Sequence, residues 1–126
     1  MMVQVQYNFE YILAQNKALR PPLQEQRRAR RARYDEARQL ARDGAALLKA
    51  QFGIERVLLV GSLLHFEQFR LNSNINLAVW GLNSRDYVRA VHALQRFGSD
   101  ILFDLGMMEQ ADPYLQMALE IEGLEL

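Results

Sequence analysis

Four residues of this sequence have types and spacings suited to chemistry, Gly61, Ser62, Asn74 and Asn76, and a fifth, Asp104, is an acid in a later apolar run. Gly61-Ser62 follows Arg56-Val57-Leu58-Leu59-Val60, a short apolar run with the composition of a β-strand. A glycine–serine bend after a strand leaves backbone N–H groups free. Together with the Ser62 hydroxyl, these can hold phosphate oxygens. After eleven intervening residues, Asn74-Ile75-Asn76 opens a second strand, with Ile75 to Trp80 alternating in character. On a strand, residues i and i+2 share a face. Asn74 and Asn76 therefore project together, and Ile75, Leu77 and Val79 project to the other side. Two polar side chains on one strand face beside a glycine–serine bend can form a nucleotide and metal site. Each piece also has a plainer reading. Gly61-Ser62 can be an ordinary turn, the asparagines can cap a loop, and Asp104 can be a solvated strand acid.

The elements that must position these residues are legible as patterns. Pro21-Pro22 interrupts a weakly patterned start, in which Tyr7, Phe9, Tyr11, Ile12 and Leu13 suit a short helix or strand. From Pro22 to Phe52 nothing breaks a helix except an isolated Gly44. Tyr34, Ala37, Ala41, Ala45, Leu48 and Phe52 recur at steps of three or four and make one apolar stripe, and Gly53 stands at the stop. About thirty residues at 1.5 Å each give a helix of roughly 45 Å, longer than a small core is wide, so part of it should overhang. Ser84 to Phe97 reads as a second helix, with Ser84 as cap, Tyr87, Val88, Val91, Leu94 and Gln95 at helical spacing, and Gly98 as stop. Ile101 to Leu105 reads as a third strand, Pro113 to Ile121 as a last helix and Leu124 to Leu126 as a short edge strand. The expected fold class is α/β (α+β), with a small mixed sheet and flanking helices behind a long N-terminal helix. Residues 1–51 would be a helical extension and 52–126 the core.

Composition limits the function classes. At 126 residues, half of them apolar and 24% charged, the chain is one domain's length and globular in composition. It has no cysteine, which excludes a disulfide framework, a Cys-ligated zinc site and a thiol nucleophile, and fits a reducing compartment. No apolar run approaches the ~20 residues that span a bilayer, and no secretory signal is visible, so a cytoplasmic protein is expected. The net charge of zero hides a polarity. Residues 1–56 hold eleven Lys/Arg against six Asp/Glu, and residues 57–126 hold four against nine. The second part is a poor grip for nucleic acid.

In order and on these elements, the residues resemble the minimal nucleotidyltransferases of the DNA polymerase beta superfamily. Gly61-Ser62 matches the family's Gly-Ser. Ser73-Asn74-Ile75-Asn76-Leu77-Ala78-Val79 matches its S-D-I-D-L-A-V with both aspartates replaced by asparagine, and Phe103-Asp104-Leu105 matches its third carboxylate strand. Asp112-Pro113 through Leu124 resembles the family's ending. The likeness covers roughly residues 52–126.

This resemblance implies a polymerase-beta-like nucleotidyltransferase core and transfer of AMP from ATP, with Gly61 and Ser62 binding nucleotide. Asn74, Asn76 and Asp104 stand at the catalytic, Mg²⁺-holding positions. With the long leading helix, it also implies an antitoxin that neutralises a HEPN ribonuclease toxin, in studied types by AMP addition to a toxin tyrosine.

The two asparagines depart from the family where the chemistry is most exacting. Mg²⁺ prefers charged oxygen ligands, and an amide carbonyl is neutral. An impaired transferase, a pseudoenzyme, is the expectation; an active adenylyltransferase and an ATP-binding sensor without chemistry are the alternatives. Both changes conserve shape, as deliberate replacement would. Leu64-His65-Phe66 in the turn departs from the commonest family pattern, as natural drift would.

Three other features have plainer readings. His65 and His92 lie in different elements and are not expected as ligands. Trp80, at a strand end, reads as core. The arginines at 27, 28, 30, 31, 33, 38 and 42 read as a protein-partner or solvent face, with an Arg31–Asp35 pair at i,i+4 and RNA contact as the lesser reading.

Overall fold

The structure, a computed structural model, describes residues 21–126. The helix or strand considered within residues 1–20 lies outside the described residues. Helix α1 runs Leu23–Phe52. The double proline starts it, and Gly53 ends it in the left-handed region at φ 64°. Tyr34, Ala37, Ala41, Ala45 and Leu48 are buried as the stripe requires. Among the described residues none before Tyr34 is buried, so the first turns of α1 lie beyond the main core. Gly44, which reads in the sequence as a weak point, has a packing reason. A Cβ there would stand 2.9 Å from the Phe103 ring and 3.0 Å from Leu94. With Ala37, Ala41 and Ala45, it lets the helix lie close on the sheet.

The sheet comprises β1 (Arg56–Val60), β2 (Ile75–Trp80), β3 (Phe103–Met107) and β4 (Leu124–Glu125), in the order β3-β2-β1-β4. The β1 strand pairs antiparallel with both β2 and β4, and β2 pairs parallel with β3. Helix α2 (Tyr87–Gln95) crosses between β2 and β3, and helix α3 (Pro113–Glu122) precedes β4. One face of the sheet carries Val57, Leu59, Ile75, Leu77, Val79, Phe103 and Leu105 into the main core, shared with α1 and α2. The other carries a smaller cluster, Leu58, Ala78 and Met108, with Leu119 of α3 against it. This is the mixed α+β architecture expected.

Three local differences have physical causes. The third strand starts two residues late. The side chain of Ser99 accepts from the Ile101 N–H at 3.0 Å and holds that stretch in a turn. The second helix begins with a 3-10 turn, Ser84–Asp86, and its cap is Asn83, whose side chain accepts from the Arg85 N–H. Its buried face is Ala90, Ala93 and Leu94, and Val88 points to solvent. Small alanines let α2 sit close to α1, which an apolar count weighted to Tyr and Val does not foresee.

Candidate nucleotide site

The glycine–serine bend forms as a 3-10 turn, Gly61–Leu64, directly after β1. Gly61 has φ +83°, and a Cβ on it would stand 2.6 Å from Asn76 Nδ2. The bend and the second asparagine are thus in direct apposition. Val60 is the register partner of Asn76, and Asn76 is the register partner of Asp104. In-register residues on neighbouring strands, about 4.8 Å apart, point to the same face. Asn76 and Asp104 therefore stand side by side on the face away from α1, Asn76 half-buried and Asp104 exposed.

Asn74 lies one residue before β2 begins and is exposed. It is held on both sides. The Ser73 N–H donates to the Arg70 carbonyl at 3.0 Å, and Ser73 Oγ accepts from the Arg70 N–H at 2.9 Å. The Ile75 N–H donates to the Leu102 carbonyl at 2.8 Å, extending the ladder toward β3. Ser62 is half-buried in the bend. Of the five candidates, Gly61, Asn76 and Asp104 are thus adjacent by contact or register, and Ser62 and Asn74 flank them in the chain.

The donor set does not fit a pair of magnesium ions. One carboxylate, two neutral amides and a hydroxyl would face four positive charges, where hard cations demand charged oxygens. Among the described residues, no three or more His, Asp or Glu side chains gather where a metal could be held. As it stands, the chain lacks the charged ligands that metal-assisted phosphoryl transfer requires. His65 is exposed in the turn, and His92 lies in a groove between α1 and α2 with Gln51, Phe52 and Arg89. Neither belongs to the site. Trp80 is half-buried, with the Arg56 guanidinium 4.2 Å above its ring.

The arginine run does something sequence reasoning missed. The loop between the bend and Asn74 rises to meet the overhanging part of α1. Arg30 Nη1 donates to the Phe66 and Phe69 carbonyls at 2.7 and 3.1 Å, and its guanidinium lies 4.2 Å over the Phe66 ring. Arg27 and Arg31 approach the same ring at 5.1 Å, and Arg27 pairs with Glu67 at 2.8 Å. Tyr34 packs edge-on against both Phe66 and Phe69. The expected Arg31–Asp35 pair is present at 3.4 Å. The run is therefore partly an internal clamp. The available signal was the aromatic pair Phe66 and Phe69, which needed a cover the short loop could not supply.

Two predictions arise here. Gly61→Ala should cost about 1–2 kcal/mol from the left-handed backbone alone, and it must also push Asn76 aside. Urea unfolding measures the cost. The second concerns acid. Hydrogen bonds from Arg27 to Glu67, Arg33 to Asp100 and Arg56 to Glu125 hold these carboxyls below the usual range. A depressed native pKa gives stability that is fully present above the unfolded value near 4 and lost as pH falls through the native one. Unfolding midpoints should stay level from pH 7 to about 5 and fall below about 4, by less in high salt because the pairs are exposed.

The class these features define is a small α+β protein with a mixed four-stranded sheet and a polar bend-and-strand site on its more open face. No family model matches the chain. No curated protein matches it. Among solved structures, a mutant form of the toxin–antitoxin MntA-HpeT is similar at 22% identity, over 73% of this chain and 70% of that one, with a TM-score of 0.47.

Proposed function

We propose that the chain is an antitoxin of the minimal nucleotidyltransferase type, which binds and neutralises a HEPN ribonuclease in the cytoplasm. Its own AMP-transfer site is impaired. Gly61 and Ser62 hold the phosphates of ATP, and Asn74, Asn76 and Asp104 occupy the metal-holding positions with only one charge among them. The observation that supports this best is the apposition of Asn76 with Gly61 on one side and Asp104 on the other. It lies in a stretch, leading into β2, that reads S-N-I-N-L-A-V. Such a protein acts by binding, since the amides leave its transfer chemistry weak.

Coexpression with a HEPN-type ribonuclease tests the reading. A stable complex is expected, with RNA cleavage suppressed and no AMP-sized mass gain on the ribonuclease. No complex and unchanged cleavage would sink the antitoxin reading. Complete AMP modification of the ribonuclease would instead make the chain an active transferase.

A further inference from the structure

Helix α3 presents two unlike faces. Leu119 packs on the cluster of Leu58, Ala78 and Met108. Gln116 Nε2 donates to the Met108 and Ala111 carbonyls at 2.7 and 2.9 Å, and the Asp112 side chain caps the Leu115 N–H. The helix is thus firmly seated. Its opposite face carries Tyr114, Met117, Ala118 and Ile121, at i, i+3, i+4 and i+7. Among the described residues this face is bare: Tyr114 is 86% exposed, Ile121 77% and Met117 60%. An apolar stripe left in water on a well-anchored helix marks an interaction site.

The surroundings say what covers it. Residues 108–126 contain Glu109, Asp112, Glu120, Glu122 and Glu125 and no lysine or arginine. Among the described residues two cations reach in: Arg56 pairs with Glu120 and Glu125, and Lys49 Nζ donates to the Leu126 carbonyl at 2.6 Å, leaving Glu109, Asp112 and Glu122 without a basic partner. The stripe is an apolar ridge with an acidic rim. We infer that the Tyr114–Met117–Ile121 ridge of α3 docks on the basic, RNA-holding surface of the ribonuclease partner. This rests on the antitoxin reading above. A ribonuclease gathers arginine and lysine to hold phosphates. An acidic-rimmed ridge complements that surface in charge and competes with RNA for it. Helix α3 packs on the same sheet face that carries Asn76 and Asp104.

The test measures affinity for the ribonuclease, by biosensor, for the unmodified chain, Tyr114→Ala, Ile121→Glu and Val88→Glu. The three side chains are solvent-exposed, so the variants should fold, and circular dichroism checks this. Val88 is on α2, packed on the opposite sheet face, and serves as control. Anchor loss should weaken binding at least ~10-fold for Tyr114→Ala and more for Ile121→Glu, with Val88→Glu unchanged. Excess substrate RNA should dissociate the unmodified complex. Equal affinity across all four proteins would overturn the docking surface and leave the antitoxin reading standing, as would a complex that RNA does not disturb. Failure of the unmodified chain to bind would overturn both. Self-association abolished by Ile121→Glu, with ribonuclease affinity unchanged, would assign the ridge to a second copy instead.

Discussion

AMP transfer to the ribonuclease partner is expected to rise at least ~10³-fold when Asn74→Asp and Asn76→Asp are introduced together. Such a gain corresponds to about 4 kcal/mol of transition-state stabilisation. The argument rests on charge at fixed geometry. Asparagine and aspartate are nearly isosteric, so β2, its register and the Gly61 contact should survive. The double change supplies two negative charges, one at Asn76, the register partner of Asp104, and one at Asn74, two residues before Asn76 in the chain. The added carboxylates would offer the charged oxygens that hard divalent ions require, and such ions would supply charge stabilisation to phosphoryl transfer. Asp104→Asn added to the double variant should remove most of the gain. A second readout does not depend on activity. Three crowded carboxylates repel one another, so the double variant should melt below the parent in EDTA and recover with Mg²⁺. Equal transfer rates in parent and double variant would refute the account of the asparagines.

Phe69→Ala should destabilise the protein by about 3–5 kcal/mol, the usual cost of emptying a buried phenylalanine site. At this chain length that is a fall of roughly 12–20 °C in Tm. Phe69 is fully buried although it sits in a loop. Its ring meets Tyr34 edge-on at 5.6 Å, and its carbonyl accepts from Arg30. Truncation removes the apolar anchor and loosens the carbonyls that Arg30 holds. The loop joins Ser62 to Asn74, so its loosening should also weaken ATP binding, if the bend holds phosphate. Thermal melts give the first effect and calorimetric titration with ATP the second. A loss below 1 kcal/mol would mean that the loop is only draped on α1.

Much of this arrangement was legible before any coordinates. The α1 stripe, its glycine stop, the β1 and β2 strands and the short closing strand follow from periodicities of 3.6 and 2. Asn76 lies inside β2, but Asn74 stands one residue before it, so strand alternation does not by itself put the two on one face. What was not legible depends on contacts across the chain. The Arg27–Arg30–Arg31 clamp needs Phe66, more than thirty residues away. The function of Gly44 appears only once Phe103 is opposite it. The late start of β3 was hidden because Ile101 and Leu102 have strand character, yet a side-chain hydrogen bond bends them. Asn76 and Asp104 are register partners, and sequence spacing alone cannot set a register between strands joined by a crossover helix.

The most direct measurement is Mn²⁺ binding in the presence of ATP, followed by electron paramagnetic resonance as loss of the free-ion signal. Mn²⁺ reports the same hard-oxygen site as Mg²⁺. With this chain the signal should fall no further than ATP alone accounts for, and with Asn74→Asp plus Asn76→Asp it should fall stoichiometrically with protein. Full uptake by the unmodified chain, or none by the double variant, would contradict the assignment of these residues as a lapsed metal site.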